Sequence, residues 1–588
     1  MIHGVGKHIR KNGNHYVAFV GVMLVLIYLA SAFDFYYDIN DDVLIHDILS
    51  GNYTGTPEGC NIQILYPLGM LIAFGYKIVR EVPWFGLFVC GCQFGCFYLF
   101  LDRILTYGKS RLQRGVLWLL GGSFFLVFQY HTLVMVQYTV VAGVLVSTAI
   151  FLFMTTPKVS NWKEMLWWNR VSIVLLVVGF CLREEMTLLL LPILCVAGVS
   201  QWIYEEELRS VHTLRKYLVL VMVLGISLGT CLGIHKVAYS SEEWREFQEL
   251  FDQRTLLYDY AVIPEYDTHQ SFYEEIGLEQ PQQQLLVNYN YAIDKRIDLY
   301  KMSRVAEYAN GIREKEMPFT TRLRESISAY KYRLLYREPV TLESSDYPYN
   351  MIVVILYVSV VILIVLTKRF RYMIVLFLLA GVRSSLWLYI IYGLRTPVRI
   401  TMPLYFAECC VLIALLLELG SKIRGRKSSL LVCGSGLLIC LFLAPMPYLQ
   451  KNLIATIHQK EAWNLAHEEI RMYANLHEEN AYFIDVYTYV PFSEKIFEER
   501  NNLLDNYGII GGWAARSPLE TKRLTALNAL ELDKALLEKE HIFFVNATKY
   551  SLEWLEEYYK MSGMRVEMVC VQELLGGEIE VVKLNYNR

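Results

Sequence analysis

The stretch DFYYDINDDVLIHDILSGNYTGTPEG (34–59) directly follows an apolar run at residues 16–33 and carries two adjacent aspartates, Asp41 and Asp42. A carboxylate pair at the mouth of a membrane bundle is costly to desolvate and is a candidate for chemistry. The first question is whether such a bundle exists, and the second is which side of it the pair faces.

The chain has 588 residues, of which 54% are hydrophobic, 14% aromatic and only 19% charged. A soluble chain of this length divides into several domains and exposes more charge. Apolar runs occur at 16–33, 84–101, 115–129, 138–154, 170–181, 186–200, 217–236, 350–367, 372–392, 400–418 and 428–446. Most approach the length that crosses a hydrocarbon core of ~30 Å at ~1.5 Å per residue. They predict a mainly α, polytopic bundle of about eleven spans. The net charge of −3 gives no support to nucleic-acid binding.

Charge sets the expected orientation. With the N-terminus inside, the inner connections are 102–114, 155–169, 201–216, 368–371 and 419–427, and all carry two or more Lys or Arg. The outer loop 34–61 has six acids and no Lys or Arg. Residues 62–79 (IQILYPLGMLIAFGYKIV) break this parity if they cross, and Pro67, Gly69 and Gly75 weaken a straight helix. They are expected to be re-entrant or interfacial, with a twelfth span as the alternative. The short runs 170–181 and 186–200, split by Leu182-Arg183-Glu184-Glu185, predict a shallow hairpin with its charged tip outward. Lys7, Arg10 and Lys11 before the first run imitate a signal sequence, but the run is long for one and predicts an uncleaved helix.

Two stretches are too polar for the bilayer. The resulting division is 1–236 (transmembrane, with the loop 34–61), 237–349 (external insert), 350–447 (transmembrane) and 448–588 (external). In the insert, EEWREFQELF places Trp244, Phe247 and Phe251 on one helical face. The last part alternates a helical pattern (459–477) with strand candidates AYFIDV, HIFFVNA, RVEMVCV and EIEVVKL, which predicts an α/β domain. Ten of the twelve cysteines lie in apolar runs and are expected to pack as small hydrophobes.

Around the aspartates, Asn40 is the expected N-cap and Gly51 the expected stop of a short helix on the outer membrane surface. Two acids in a first turn also suit the helix dipole without any further role. Arg183, Arg395 and Arg399 fall near the outer ends of spans, where each is either a phosphate contact or a snorkelling anchor. Arg383 and Glu408 lie nine residues from the outer ends of neighbouring antiparallel runs and are expected to meet inside the membrane, as a structural pair or as part of a pathway. Gly511-Gly512-Trp513 reads either as a turn beside a buried Trp or as an exposed stacking platform for a sugar.

The arrangement of first helix, NDDVLIHDILSGNYTGTPEG and Pro/Gly-broken segment resembles the GT-C superfamily. More narrowly, VQYT (136–139), CLREE (181–185), RTLLYDYAVIPEY (254–266), GLRTPVRITMPL (393–404) and NYGIIGGWAARSPL (506–519) resemble uncharacterised GT-C-like membrane proteins of Gram-positive bacteria. The resemblance implies an inverting glycosyltransferase at the outer face of the cytoplasmic membrane, taking sugar from a polyprenyl-phosphate carrier. The acceptor is then a cell-wall polymer, a glycolipid or a protein. It makes Asp41 or Asp42 the catalytic base and Arg183, Arg395 and Arg399 phosphate ligands. No cofactor is firmly implied, although some members use a divalent cation, for which Asp38, Asp42 and His46 are the available ligands. Two rival readings stay open: a transporter or flippase for lipid-linked sugars, and a non-catalytic protein that keeps the fold.

Overall fold

The structure, a computed structural model, describes residues 2–205, 208, 210–336, 346–423, 428–489, 492–498 and 503–587. The basic residues Arg209, Arg424, Arg426 and Lys427 of two inner connections lie outside the described residues.

Every apolar run is helical. In chain order the first half contains α1 (Ile2–Ala32), β1 (Tyr36–Tyr37), α2 (Asn40–Ser50), α3 (Tyr66–Ile78), α4 (Trp84–Leu105) and α5 (Arg111–Gln129). Then follow β2 (Met135–Val136), α6 (Tyr138–Met154), α7 (Trp162–Leu182), α8 (Glu184–Ile203) and α9 (Val211–Ala238). Among the described residues nine helices are long and apolar enough to cross a bilayer, and α6 is a shorter apolar helix of 17 residues. The chain is a multi-pass membrane protein.

The sequence of α6, YTVVAGVLVSTAIFLFM, has no polar face, and Tyr138 to Phe153 are all buried. A helix that is apolar all round belongs in the middle of a bundle. There α6 packs on α4, α7, α8 and α17 (Val398–Ser421), which is itself largely buried. Gly143 lets α6 approach the ring of Pro403 on α17, since a Cβ there would collide with it.

Between α9 and the next spans the insert forms α10 (Glu242–Tyr260), α11 (Gln270–Glu275), α12 (Gln280–Val287), α13 (Leu299–Glu316) and α14 (Phe319–Leu335). The bundle then resumes with α15 (Tyr349–Thr367), α16 (Tyr372–Tyr392) and α17, followed by α18 (Ser428–Leu443). Helix α19 (Met446–Leu476) carries the chain into the last part. All four strand candidates form: β3 (Ala481–Ile484), β5 (Ile542–Ala547), β6 (Arg565–Leu574) and β7 (Ile579–Asn587). A fifth strand, β4 (Tyr507–Ile509), has only three residues and leaves no alternation to read. The sheet order is β4-β3-β5-β7-β6, parallel at β3/β4 and β3/β5 and antiparallel at β5/β7 and β6/β7.

Of three expectations about the first loop and its neighbours, one holds and two need revision. Helix α3 has 13 residues, about 20 Å at the usual rise, and so falls short of a span, as the interfacial reading requires. By contrast, α7 and α8 are not a shallow hairpin, since they run to 21 and 20 residues. Helix α7 begins well before its apolar run, at a cap where the Asn161 side chain accepts from the Glu164 amide, and its polar first turns carry Trp167, Trp168 and Arg170. Such residues suit a membrane interface, which apolar counting alone excludes. Asn40 is the first helical residue of α2 rather than its cap, which is Ile39 in extended geometry, while Gly51 stops the helix at φ 92° as expected.

Arg383 and Glu408 do meet. The guanidinium Nε of Arg383 donates to Glu408 at 2.8 Å, Tyr357 donates to the other carboxylate oxygen at 2.8 Å, and Arg383 donates to Tyr330 of α14 at 3.0 Å. The two charges are 6% and 1% exposed, so removing one leaves the other without compensation. Arg383→Met and Glu408→Leu are each expected to cost about 3 kcal/mol or more, and the double variant to recover most of it. Thermal unfolding in detergent checks this; a double variant no more stable than the singles contradicts a structural pair.

Candidate active site

The site is assembled from short ties between distant segments. Strands β1 and β2 pair in parallel, Tyr36 with Met135 and Tyr37 with Val136, bringing the first loop to the start of α6. Gln137 caps α6 by accepting from the Val140 amide. The next amide, Tyr138 N–H, is one of the donors that a helix N-terminus leaves without an intrahelical partner. Asp42 Oδ1 accepts it at 2.8 Å.

Asp42 is 1% exposed, and its Oδ2 is buried with no hydrogen-bond partner among the described residues. Loss of water pushes its carboxyl well above the usual carboxylate range, with the Tyr138 amide and Arg399 opposing the shift and Asp41 and Asp38 adding to it. Asp41 points the other way. It is partly exposed and accepts from the indole N–H of Trp513 at 3.1 Å. Two neighbouring acids therefore sit in opposite environments.

Asp41 lines a cavity of about 250 Å³ between α2, the insert and the sheet domain. Around it stand Arg254, Tyr289, Tyr487, Trp513 and Arg523. Arg254 is held by the Tyr289 hydroxyl and lies over its ring, while Arg523 lies 4.9 Å from the Tyr53 ring and donates to the Tyr507 carbonyl. Trp513 is 7% exposed and follows Gly512, whose φ is 90°. Gly511 packs so closely on the Tyr289 carbonyl that a Cβ would collide with it. The tryptophan is thus buried beside a turn, and its N–H is what reaches the site. Because the sheet domain covers it, α2 does not lie on an open membrane surface.

The three arginines separate. Arg183 forms the one-residue joint between α7 and α8, where it donates to Gln63 Oε1 at 2.6 Å, pairs with Glu185 at 3.0 Å and lies 5.5 Å from the Tyr138 ring. Gln63 also accepts from the Tyr138 hydroxyl at 3.1 Å, so it bridges the arginine to the segment that holds Asp42. Asp41 is among the charges acting on Arg183. Arg399, in the first turn of α17, acts on Asp42 and has no hydrogen bond or ion pair of its own among the described residues. Arg395 is occupied elsewhere: it pairs with Asp259 of the insert at 2.7 Å and lies over Tyr260.

The three candidate metal ligands do not converge. Asp38 faces Lys460 of α19, His46 lies between Tyr37 and Tyr76 beside Asp47, and one Asp42 oxygen is taken by a backbone amide. Among the described residues no group of three His, Cys, Asp or Glu side chains is placed to hold a metal. These residues do not fit a divalent cation.

Sequence reading missed Gln63, Lys460, Arg254, Tyr289 and Arg523 as neighbours of the aspartates. A weak signal existed. The strings at 136–139, 181–185, 254–266, 393–404 and 506–519 contribute Tyr138, Arg183, Arg254, Arg399 and Trp513 to one place.

No protein-family model matches the chain, and no curated protein sequence matches it. Among solved structures, the crystal structure of ArnT from Cupriavidus metallidurans bound to undecaprenyl phosphate is similar, at 12% identity and a TM-score of 0.36, over 96% of this chain and 97% of that one. A superposition this loose carries no correspondence between residues.

Because the folded-state pKa of Asp42 is raised, the folded protein keeps a proton that the unfolded chain has released. That stabilising contribution is complete below the unfolded value of about 3.9 and is lost as pH rises through the folded pKa. Asp42→Asn is expected to unfold close to wild type at about pH 4 and to exceed it at about pH 8. Melting in detergent across that range checks the sign; parallel curves for the two proteins contradict it.

Proposed function

We propose that the chain is a GT-C-type membrane glycosyltransferase that moves a sugar from a polyprenyl-phosphate carrier to an acceptor hydroxyl at the α2 end of the bundle. The observation that carries this reading is the pairing of an accessible carboxylate, Asp41, on a small aromatic-lined cavity with an unengaged arginine, Arg399, close to the same acid pair.

The chemistry needs a base and a cation. As the acceptor oxygen attacks the anomeric carbon, its proton passes to Asp41, and the bond from that carbon to the carrier phosphate breaks. Asp41 suits the task because it opens on the cavity, and the Trp513 N–H fixes one of its oxygens. Asp42, sealed from solvent and prone to hold a proton, is assigned to positioning: it anchors α2 to α6 so that Asp41 projects outward. Charge developing on the leaving phosphate is met by Arg399, with Arg183 as second donor through the guanidinium edge not used by Gln63 and Glu185. Arg395 is left to hold the insert. The cavity, at about 250 Å³, suits one ring-sized acceptor group rather than a polymer.

The orientation is part of the same reading. The described inner connections carry Arg103, Lys109, Arg111, Arg114, Lys158, Lys163 and Lys368–Arg371 at the end of the bundle remote from α2, which the positive-inside rule assigns to the cytoplasm. Cys570, exposed on β6, is a built-in reporter. An impermeant maleimide is expected to label it on intact cells. In a Cys570→Ser background, Thr268→Cys is expected to label and Ser110→Cys to stay unlabelled; any other pattern overturns the topology.

Asp41→Asn is expected to fold and bind donor while cutting transfer by about 100-fold or more, the range for loss of a general base. Asp42→Asn is expected to lose less. The assay is sugar transfer in reconstituted membranes from a polyprenyl-phosphate sugar to a crude acceptor pool. Near-normal transfer by Asp41→Asn refutes the assignment, and movement of donor across the bilayer without transfer replaces it with a flippase.

A further inference from the structure

At the opposite end of the bundle from Asp41 lies a larger cavity, about 1170 Å³, walled by α1, α4, α8, α17, the α6–α7 connection and the α15–α16 turn. Besides Lys422, five cations face it: Arg103, Lys158, Lys368, Arg369 and Arg371. Its two acids are already engaged, Asp102 with the His15 ring at 2.7 Å and Glu418 with Lys422 at 3.0 Å. Among the described residues none of the five has an ion pair. Arg103 and Lys158 donate only to the carbonyls of Thr155 and Tyr204. Tyr107 and the stacked rings of Tyr204 and Tyr372, 4.1 Å apart, give the cavity an aromatic side.

The positive-inside rule accounts for basic residues at this end. It does not require that they turn onto a single cavity, nor does it account for what adjoins it. Tyr107 also borders a second cavity of about 690 Å³, which runs along the bundle between α5, α15, α17 and α18. That groove is apolar, with Val116, Leu363, Leu417 and Leu438 among its walls, and α17 separates the two spaces with Glu418 on one side and Leu417 on the other. A polar, cationic chamber opening beside an apolar groove within the membrane-crossing helices has the shape and charge of an anionic lipid.

We propose that this end of the bundle binds a phosphate-bearing membrane lipid, its headgroup held by Arg103, Lys158 and the Lys368–Arg371 turn and its chain lying in the groove past Tyr107. Arginines complement phosphate oxygens in pairs, and clustered basic side chains at a membrane surface favour anionic headgroups. The site is independent of sugar transfer, and it stands if the proposed activity does not.

The test uses the purified full-length protein in neutral detergent, with phosphatidylglycerol and phosphatidylcholine of equal chain length, and counts retained lipid by native mass spectrometry. Phosphatidylglycerol is expected to be retained about tenfold better, and K368Q/R369Q/R371Q to remove about that advantage. Gly434→Trp, at a groove position where an added Cβ meets nothing within 4 Å among the described residues, is expected to weaken retention by blocking the chain. Equal retention of phosphatidylcholine overturns the proposal. So does full displacement by glycerol phosphate with Gly434→Trp silent, which assigns the chamber to a free phosphate compound. Should the triple variant fail to fold, salt decides on the unmodified protein: retention that does not fall from about 0.05 to about 0.5 M overturns the headgroup contact.

Discussion

The hydrogen bond from the Tyr138 amide to Asp42 joins the first loop to the central helix, and the geometry of the site follows from it. It satisfies an N-terminal donor of α6 that is buried within the bundle, and it commits one carboxylate to the interior. Helix α2 cannot then rotate without exposing Leu49 and Ile45 and stranding that donor. Since neighbouring residues in a helix point about 100° apart, burying Asp42 directs Asp41 away from the bundle, toward the cavity and the Trp513 indole.

Placement on that axis explains why two identical side chains end in different chemistry. Asp42 loses water on every side and has one backbone donor that offsets only part of the loss, so the proton is favoured on it. Asp41 keeps contact with the cavity and has a neutral donor that orients without adding charge. A base needs that freedom, and an anchor does not. The arginines show the same division: Arg395 is spent on holding the insert through Asp259, Arg183 is shared between Gln63 and Glu185, and Arg399 is unengaged among the described residues.

The polar part of the bundle obeys a single rule. Within hydrocarbon an unpaired charge has no water to fall back on, so each must find a protein partner. Arg383 and Glu408 do so with help from Tyr330 and Tyr357, which ties α14 of the insert to α16 and α17. At the remote end the rule is relaxed, because water and headgroups are near, and Lys368, Arg369 and Arg371 stay exposed around their cavity.

Much of this was legible in the chain. Apolar run lengths determined the helices, since a bilayer admits few backbones that satisfy their own hydrogen bonds. Alternation exposed four of the five strands, and nine-residue offsets from helix ends brought Arg383 to Glu408. The true length of α7 and α8 was hidden, because interfacial Trp and Arg residues extend a helix without adding to an apolar run. β4 was too short to show a period. The acid pair and two of its arginines could be picked out as candidates, but not their division of labour. Which aspartate is sealed depends on where α6 begins, and which arginine stays unengaged depends on Asp259, which is far from Arg395 in the chain. Those outcomes belong to contacts between distant segments, and sequence period carries no record of them; only the tertiary structure decided them.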